Sequence, residues 1–507
     1  NQMRRISMNY SSLLKTAVIA AAMSLPFSAQ ANEVTIVLSE ELDIVDPCEA
    51  SRSNIGRVIA QNVSETITEL VPGKGLQPRL AESWEEQGNG TWRFNLRKNV
   101  SFSDGSAFDA EDIAHSLKRI KSDKLTCEIG IKYFGGIEIS TDIIDSHTID
   151  ITAEPAQPIL PLLMSVVTVM RSSEPMDKYV VKPVGTGPYT FDQYIRGMQI
   201  NLSTNPNYWG GDSAVKKAKY IFRSDSAVRA AMVATGEADI APNIALQDAT
   251  KPEIDFSYPN SETLYLRVDN EVAPTNDVRV RRALNHAIDR EAFIGTILAN
   301  GTIQATGMTP PSTIGYNHDL KPYAFDPSKA KDLLAKAKAD GVPVEKEIRL
   351  IGRINNFANV QETMEALQAM LQDVGFNVKL EMYEVAEWLD LYSKPYAEDR
   401  GPIIVEAMHD NANGDPVFSM FFKYASGGAQ SGRNDAKLDK MIADATAATG
   451  SEREAMWKNT MAYIHDDVVI DVLLFHMVGF SRVNERLDFT PTIKTNSELQ
   501  LSQIALK

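Results

Sequence analysis

The richest polar stretch of the chain is His409-Asp410-Asn411-Ala412-Asn413-Gly414-Asp415-Pro416. An imidazole, two carboxylates and two amides in one short run can hold a cation, at Asp410 or Asp415, and orient a polar ligand through His409 and Asn411. A metal centre needs more than this, because no second His stands at helical spacing from His409. Catalysis has no better support. The seven His are scattered, and the chain has no G-x-S-x-G, no P-loop and no H-E-x-x-H. Residues that bind, with no visible nucleophile and base to react, predict a protein without enzymatic activity, resident metal or cofactor.

The elements that must position these residues alternate. The pattern predicts a strand over 347–351, a helix over 359–374, a strand over 377–383, a helix over 385–392 and a strand over 402–406. Strands alternating with helices imply an α/β fold with a mostly parallel sheet, whose ligands sit at the carboxyl ends of the strands. Three positions meet that condition: Arg353, suited to a carboxylate or phosphate; Trp388, suited to an aromatic wall; and 409–415. Near the start, an apolar β-branched run predicts a strand over 34–38. The loop 49–53 after it makes Arg52 and Ser53 ligand-facing candidates, since loops on rigid scaffolds carry function. Helical periodicity follows over 55–70. A helix over 328–340 has Ser328 as its N-cap and Gly341 just past its end.

At 507 residues the chain has room for two or more domains. Its net charge of −16 argues against a nucleic-acid partner, which needs a basic surface. Residues 1–31 carry Arg4, Arg5 and Lys15, then an apolar run over 17–25 and Ala29-Gln30-Ala31, the pattern of a cleaved secretory signal. No Cys lies near the cleavage site and no later segment reads as membrane-spanning, so no direct membrane anchor is expected. Cys48 and Cys127 remain in the mature chain. In an oxidising compartment an even count permits one bridge, closing a loop of about 80 residues; the alternative is two buried thiols.

Several strings together resemble the family 5 solute-binding proteins of ABC importers, the group of dipeptide-, oligopeptide- and nickel-binding proteins. They are GLQPRLAESW at 75–84, WRFNLRKNVSFSDGSAFDAEDIAHSLKR at 92–119, PVGTGPY at 183–189, TNPNYWGG at 204–211, VRAAMVATGEADI at 228–240, RVRRALNHAIDR at 279–290 and DVLLFHMVGF at 471–480. In that context Arg279, Arg281 and Arg282 read as the solvated face of an amphipathic helix. The resemblance implies that exposed amides at Gly185 and Thr186 face ligand. Peptide-binding relatives hold the ligand's ammonium with an Asp three residues before an acidic-Pro pair. Here that position is Ala412, with Asp410 two residues further upstream. Either Asp410 takes over the role or the ligand has no α-amino group.

The fold this implies is the two-lobe periplasmic binding protein fold of the cluster C type. Lobe 1 is expected over 32–264, with an extra subdomain over about 56–182, and again over 479–507. Lobe 2 is expected over 265–478, with hinge crossings near Tyr265-Leu266 and Met477-Val478. The implied function is capture of a small solute, a peptide or amino-acid-derived compound, by a monomeric periplasmic protein that delivers it to a membrane permease. A nickel or metal-chelate carrier, using His409 and His476, and an opine or sugar-phosphate carrier are the alternatives within the family. A periplasmic hydrolase with a hidden serine triad is the alternative outside it.

Overall fold

A computed structural model describes residues 32–71 and 74–507 of the chain. The expected signal segment, 1–31, lies outside the described residues. No helix among the described residues is long and apolar enough to cross a membrane.

An 11-stranded sheet runs through the molecule. Its strands in chain order are β1 (Glu33–Leu38), β2 (Tyr189–Ile195), β3 (Gln199–Thr204), β4 (Lys217–Phe222), β5 (Ile240–Ile244) and β6 (Asp255–Val268). Then come β7 (Ile303–Gln304), β8 (Ile348–Arg353), β9 (Val378–Tyr383), β10 (Ile403–Asp410) and β11 (Val472–Val483). The spatial order is β9-β8-β10-β6-β11-β5-β1-β4-β3-β2, with β7 on β11. The longest strands are β6 and β11, at 14 and 12 residues, and they pair with each other. The end of β11 also borders β5, while the end of β6 borders β10. Both strands therefore belong to both ends of the sheet, and those ends are the two lobes. The β6–β11 ladder breaks between Pro259 and Thr263, where Ser261 takes a left-handed φ of 65°. A break of this kind bends a strand and increases its twist.

Parallel pairing of β8 with β9 and β10 matches the strand–helix alternation. Ile348 and Leu350 of β8 bury against Met364, Leu367 and Leu371, which recur at helical spacing on the helix Val360–Asp373. Each such side chain contributes about 1.5–3 kcal/mol on burial. In the other lobe Val34, Ile36 and Leu38 of β1 pack with Tyr189, Leu202 and Tyr220. A separate antiparallel sheet, Ala81–Gly88, Thr91–Leu96, Thr148–Glu154 and Glu138–Asp145, carries its own core. Phe94 and Leu96 share that core with Ile113 and Leu117 of the helix Ala110–Ile120, which Asp109 and Asp112 close with a capping box. Val417 and Phe418, which follow β10, sit in this same core. The second lobe's loop is thus seated in the first lobe's subdomain.

Four local expectations change. Only Ser53–Val58 is helical within 55–70. Beyond it Asn62 donates to the Arg57 and Leu499 carbonyls, so a distant segment captures backbone that local periodicity assigned to a helix. The helix Pro327–Ala339 is capped by Asp326 rather than Ser328, because Pro327 takes the first helical position, where its missing N–H costs nothing. Arg281 is buried rather than solvated, and its guanidinium donates to the Thr275, Val468 and Val469 carbonyls. Strand β10 runs on to Asp410, so His409 and Asp410 are strand residues rather than loop residues.

Candidate functional site

A cavity of about 140 Å³ opens between the lobes. From lobe 1 it is lined by Glu40 and Asp43 after β1, by Arg52 and Ser53 at the start of the helix Ser53–Val58, and by Glu128 and Lys132 of the helix Glu128–Phe134. From lobe 2 come Arg353 at the end of β8, Trp388 and Tyr392 of the helix Val385–Tyr392, His409 and Asp410 at the end of β10, and Lys423. Glu262 of β6 lines it where the lobes meet.

Cys48 and Cys127 form a disulfide with Cα atoms 5.2 Å apart. It brings the loop after β1 against the helix that starts at Glu128. Arg52 is consumed there: it meets Glu128 at 3.1 Å, Asp43 at 2.7 Å and Glu49 at 3.3 Å. Burial and then the Glu128 charge push the Glu49 carboxyl up to about 8. Arg52 therefore braces the wall of the cavity instead of offering a free cation. Ser53 lines the cavity beside it.

Arg353 is less committed. Its Nη2 donates to Glu40 across the lobes at 2.6 Å and its Nη1 to Asn356 at 2.9 Å, while its buried Nε has no hydrogen-bond partner among the described residues. Burial holds the Glu40 carboxyl above its ordinary value in spite of Arg353 beside it. Trp388 donates its indole N–H to the Glu406 carbonyl at 2.9 Å and stacks 4.6 Å from Tyr392, which fixes an aromatic wall.

Two lysines also line the cavity. Lys423 donates to Tyr392 Oη at 2.7 Å and Gln430 Oε1 at 2.5 Å, and burial drives its pKa well down. For Lys132, burial opposes the charge, but the Tyr133 oxygen, Glu128 and Asp410 outweigh it, so its pKa lies above the ordinary lysine value. No carboxylate among the described residues lies within ion-pair distance of Lys132 Nζ. On the acidic side, Glu262 stands opposite Asp410 in the β6–β10 ladder. Burial, and then the Asp410 charge, push the Glu262 carboxyl up to about 7. Asp410 Oδ1 accepts from Ser261 Oγ at 2.5 Å and from the Ala412 amide at 2.8 Å.

The remaining candidates separate by what they touch. His409 lines the cavity, but its Nε2 is engaged with Ser419 Oγ at 2.6 Å, and burial followed by the Lys423 and Lys132 charges keeps the ring neutral. Asn411 lies outside the cavity and ties the Ser261 and Met308 carbonyls together. Asp415 also lies outside it, because the protein supplies its cation: Arg453 grips it at 2.7 and 2.8 Å. Gly185 and Thr186 are packed within lobe 1. A Cβ on Gly185 would stand 1.9 Å from the Val63 carbonyl, and Thr186 donates to Glu65 at 2.8 Å. His476 is buried outside the cavity, with its Nδ1 against Thr263 Oγ1. No group of three or more His, Cys, Asp or Glu among the described residues is placed to hold a metal ion. Sequence reasoning missed Glu40, Glu128, Lys132, Glu262 and Lys423. A signal was available at Lys423, a lone cation inside the apolar run Met420–Tyr424.

This architecture has known counterparts. The profile of the bacterial extracellular solute-binding proteins, family 5 Middle, matches residues 75–430. The dipeptide-binding protein of Escherichia coli strain K12 is 25% identical, over 95% of this chain and 96% of its own length. The glutathione-binding protein GsiB of the same strain is 28% identical, over 71% of this chain and 72% of its own. Among solved structures, the periplasmic binding protein DppA from Helicobacter pylori, in complex with the peptide STSA, superposes with a TM-score of 0.82 at 22% identity, covering 94% of this chain and 98% of that one. With its two lobes, a cavity between them and most of its length inside the family profile, the chain belongs to the family 5 extracellular solute-binding proteins of ABC importers.

Proposed function

We propose that the protein binds a small amphoteric, amino-acid-derived solute between its lobes and passes it unchanged to a membrane permease. The carrying observation is the division of charge in the cavity. Glu262 and Asp410 form a paired carboxylate seat for an ammonium group. Arg353, held across the lobes by Glu40, and Lys132, without an ion-pair partner among the described residues, receive a carboxylate. The relatives named for a dipeptide and for glutathione support a solute of this class. Asp410 then does the work that the Asp of the usual spacing does in peptide-binding relatives.

The ligand stabilises the closed form because only that form lets it touch both lobes. The lobes comprise 32–264 with 479–507, including the extra subdomain over about 56–182, and 265–478. The hinge crossings lie near Tyr265-Leu266, just beyond the ladder break between Pro259 and Thr263, and near Met477-Val478. A second shift in the β6–β11 register falls between Leu264 and Tyr265, at the crossing near Tyr265-Leu266. The mature protein, freed of 1–31, acts as a monomer in the periplasm.

A thermal-shift screen of the mature protein tests this reading. At a hundredfold excess over its dissociation constant a ligand adds about 2.7 kcal/mol, which raises the midpoint of a chain this size by roughly 3 °C. Dipeptides, glutathione or other zwitterionic amino-acid derivatives are expected to give the shift. A shift given only by polyamines or sugar phosphates would overturn the reading. So would one given only by nickel with histidine and abolished by a chelator.

A further inference from the structure

A second and larger cavity, of about 360 Å³, lies beside the first and is also lined from both lobes. Two helices begin in its wall: Ser226–Thr235 of lobe 1, at Ser226 and Ala227, and Val360–Asp373 of lobe 2, at Val360, Gln361 and Glu362. Neither first turn is closed. Asp225 caps its helix by accepting from the Val228 amide, and the Ser226 and Ala227 amides have no acceptor among the described residues. Asn359 stands at the cap position of the other helix, but its side chain is spent on Gln247 and the Ile297 carbonyl. The Gln361 and Glu362 amides are left without an acceptor among the described residues. Such amides, with the positive end of a helix dipole behind them, attract anions. The Gln247–Asn359 bonds, at 2.8 and 3.0 Å, cross the lobes and hold the two helix starts at one cavity.

The same wall holds a charge in need of a partner. Arg229, one turn into the first helix, lines the cavity and is 2% exposed. Its terminal nitrogens donate to the Arg223, Ser224 and Asn243 carbonyls, which fixes the guanidinium in place. Its buried Nε has no hydrogen-bond partner among the described residues. Burial pulls its pKa down to about 10, so it is still a cation at neutral pH. Asp225, Asp248 and Glu362 also line the cavity, but none lies within ion-pair distance of Arg229. Asp225 and Glu362 are exposed, where solvent screens them. These acids do not make a cation seat either, since no group of three or more His, Cys, Asp or Glu among the described residues is placed to hold a metal ion. A buried charge without a counter-ion is costly, and an anion in the cavity supplies one.

We propose that this cavity is an oxyanion site beside the solute cavity, in which a free sulfate or inorganic phosphate accepts from amides of both helix starts and faces Arg229. Because its donors come from both lobes, the anion favours the closed form. It therefore tightens solute binding, and the solute tightens anion binding by the same factor. The site stands without the amphoteric reading of the first cavity; only the coupling rests on that reading.

The test is calorimetric titration of the mature protein with sodium sulfate and with sodium phosphate at constant ionic strength, with sodium chloride as the control. Measurements are made on wild type and on two single variants, Ala227→Asp in lobe 1 and Gln361→Glu in lobe 2. Each puts a carboxylate at an exposed position in a helix first turn, where it suits the dipole and repels an anion. Wild type is expected to bind one sulfate or phosphate saturably, and each variant to bind it at least tenfold more weakly. No saturable binding, or binding that both variants leave unchanged, overturns the site. Loss in one variant only places the anion on one lobe and overturns the bridge. Alanyl-alanine is then titrated with and without saturating sulfate, and is expected to bind about fivefold more tightly with it. Weaker binding would mean that the solute itself fills the cavity, and unchanged binding that the anion does not favour closure; either overturns the proposal. Failure of the dipeptide to bind, with sulfate still bound, counts against the amphoteric reading and leaves the oxyanion site in place.

Discussion

Two arginine–carboxylate pairs in this molecule share their chemistry and differ in everything else. Arg119 and Asp46 are fully buried in lobe 1, and every contact is returned. Arg119 meets both Asp46 oxygens, at 2.9 and 2.7 Å, and also donates to the Pro175 and Lys178 carbonyls. Asp46 in turn accepts from the Cys48 and Val180 amides. Arg353 and Glu40 face each other across the cleft through a single contact, with Nε unpartnered and the Glu40 carboxyl held above its ordinary value by burial. A saturated pair in a dry interior is a structural joint, since either charge alone would be stranded. An under-satisfied pair on a cavity wall is exchangeable, and in the proposed function a ligand carboxylate takes the place of Glu40.

That contrast can be broken by substitution. Arg119→Met leaves Asp46 charged and buried, and is expected to lower the unfolding free energy by about 3–5 kcal/mol in a denaturant titration. Adding Asp46→Leu to it is expected to recover part of the loss, because the stranded charge is then gone. No recovery would mean that packing, not charge, explains the joint. Arg353→Ala is expected to do the reverse. The pair is partly exposed, at 18% and 24%, so stability changes by less than about 1 kcal/mol. Ligand affinity falls by about 10- to 100-fold, the worth of a charged hydrogen bond. A large stability loss with unchanged affinity would make Arg353 a second joint.

The smallest effect concerns Glu262. Its carboxyl ordinarily titrates at 4.5 and is pushed up to about 7 in the fold. Between those values the folded state holds a proton that the unfolded chain has released, so stability from this group is full at low pH and is lost as pH rises through about 7. Several buried His respond in the opposite sense at lower pH, with His476 depressed to about 4, so the effect is best read as a difference between two proteins. Glu262→Gln is expected to gain about 1 kcal/mol relative to wild type between about pH 6 and 8. In the wild type, affinity for a ligand ammonium is expected to weaken as pH falls through about 7, because the proton and the ammonium compete for one carboxylate. A pH-independent affinity would remove Glu262 from the seat.

Much of the architecture was legible in the chain. Alternating strand and helix over 347–406 predicts parallel pairing and places Arg353, His409 and Asp410 at strand ends, and Trp388 in the helix after a strand, where the cavity lies. The pair of cysteines predicts a bridge, and Cys48 and Cys127 form one. Other residues could not be read because their partners are remote. Asp415 was a candidate for a ligand cation until Arg453 came to it from another helix. Gly185 was a candidate amide until the Val63 carbonyl closed over it. Lys132 carries no local signal, and packing of its helix against the helix Met420–Tyr424 of lobe 2 buries it against the cavity.

By itself, then, the sequence determined the elements, their order and the family, because periodicity, caps and turn residues act over a few positions and leave their trace locally. Tertiary structure decided which charges are spent and which are left for a ligand. Desolvation and ion pairing depend on neighbours brought together from Glu40, Glu128, Glu262, Arg353 and Lys423, residues scattered across the length of the chain, and no local pattern records that meeting.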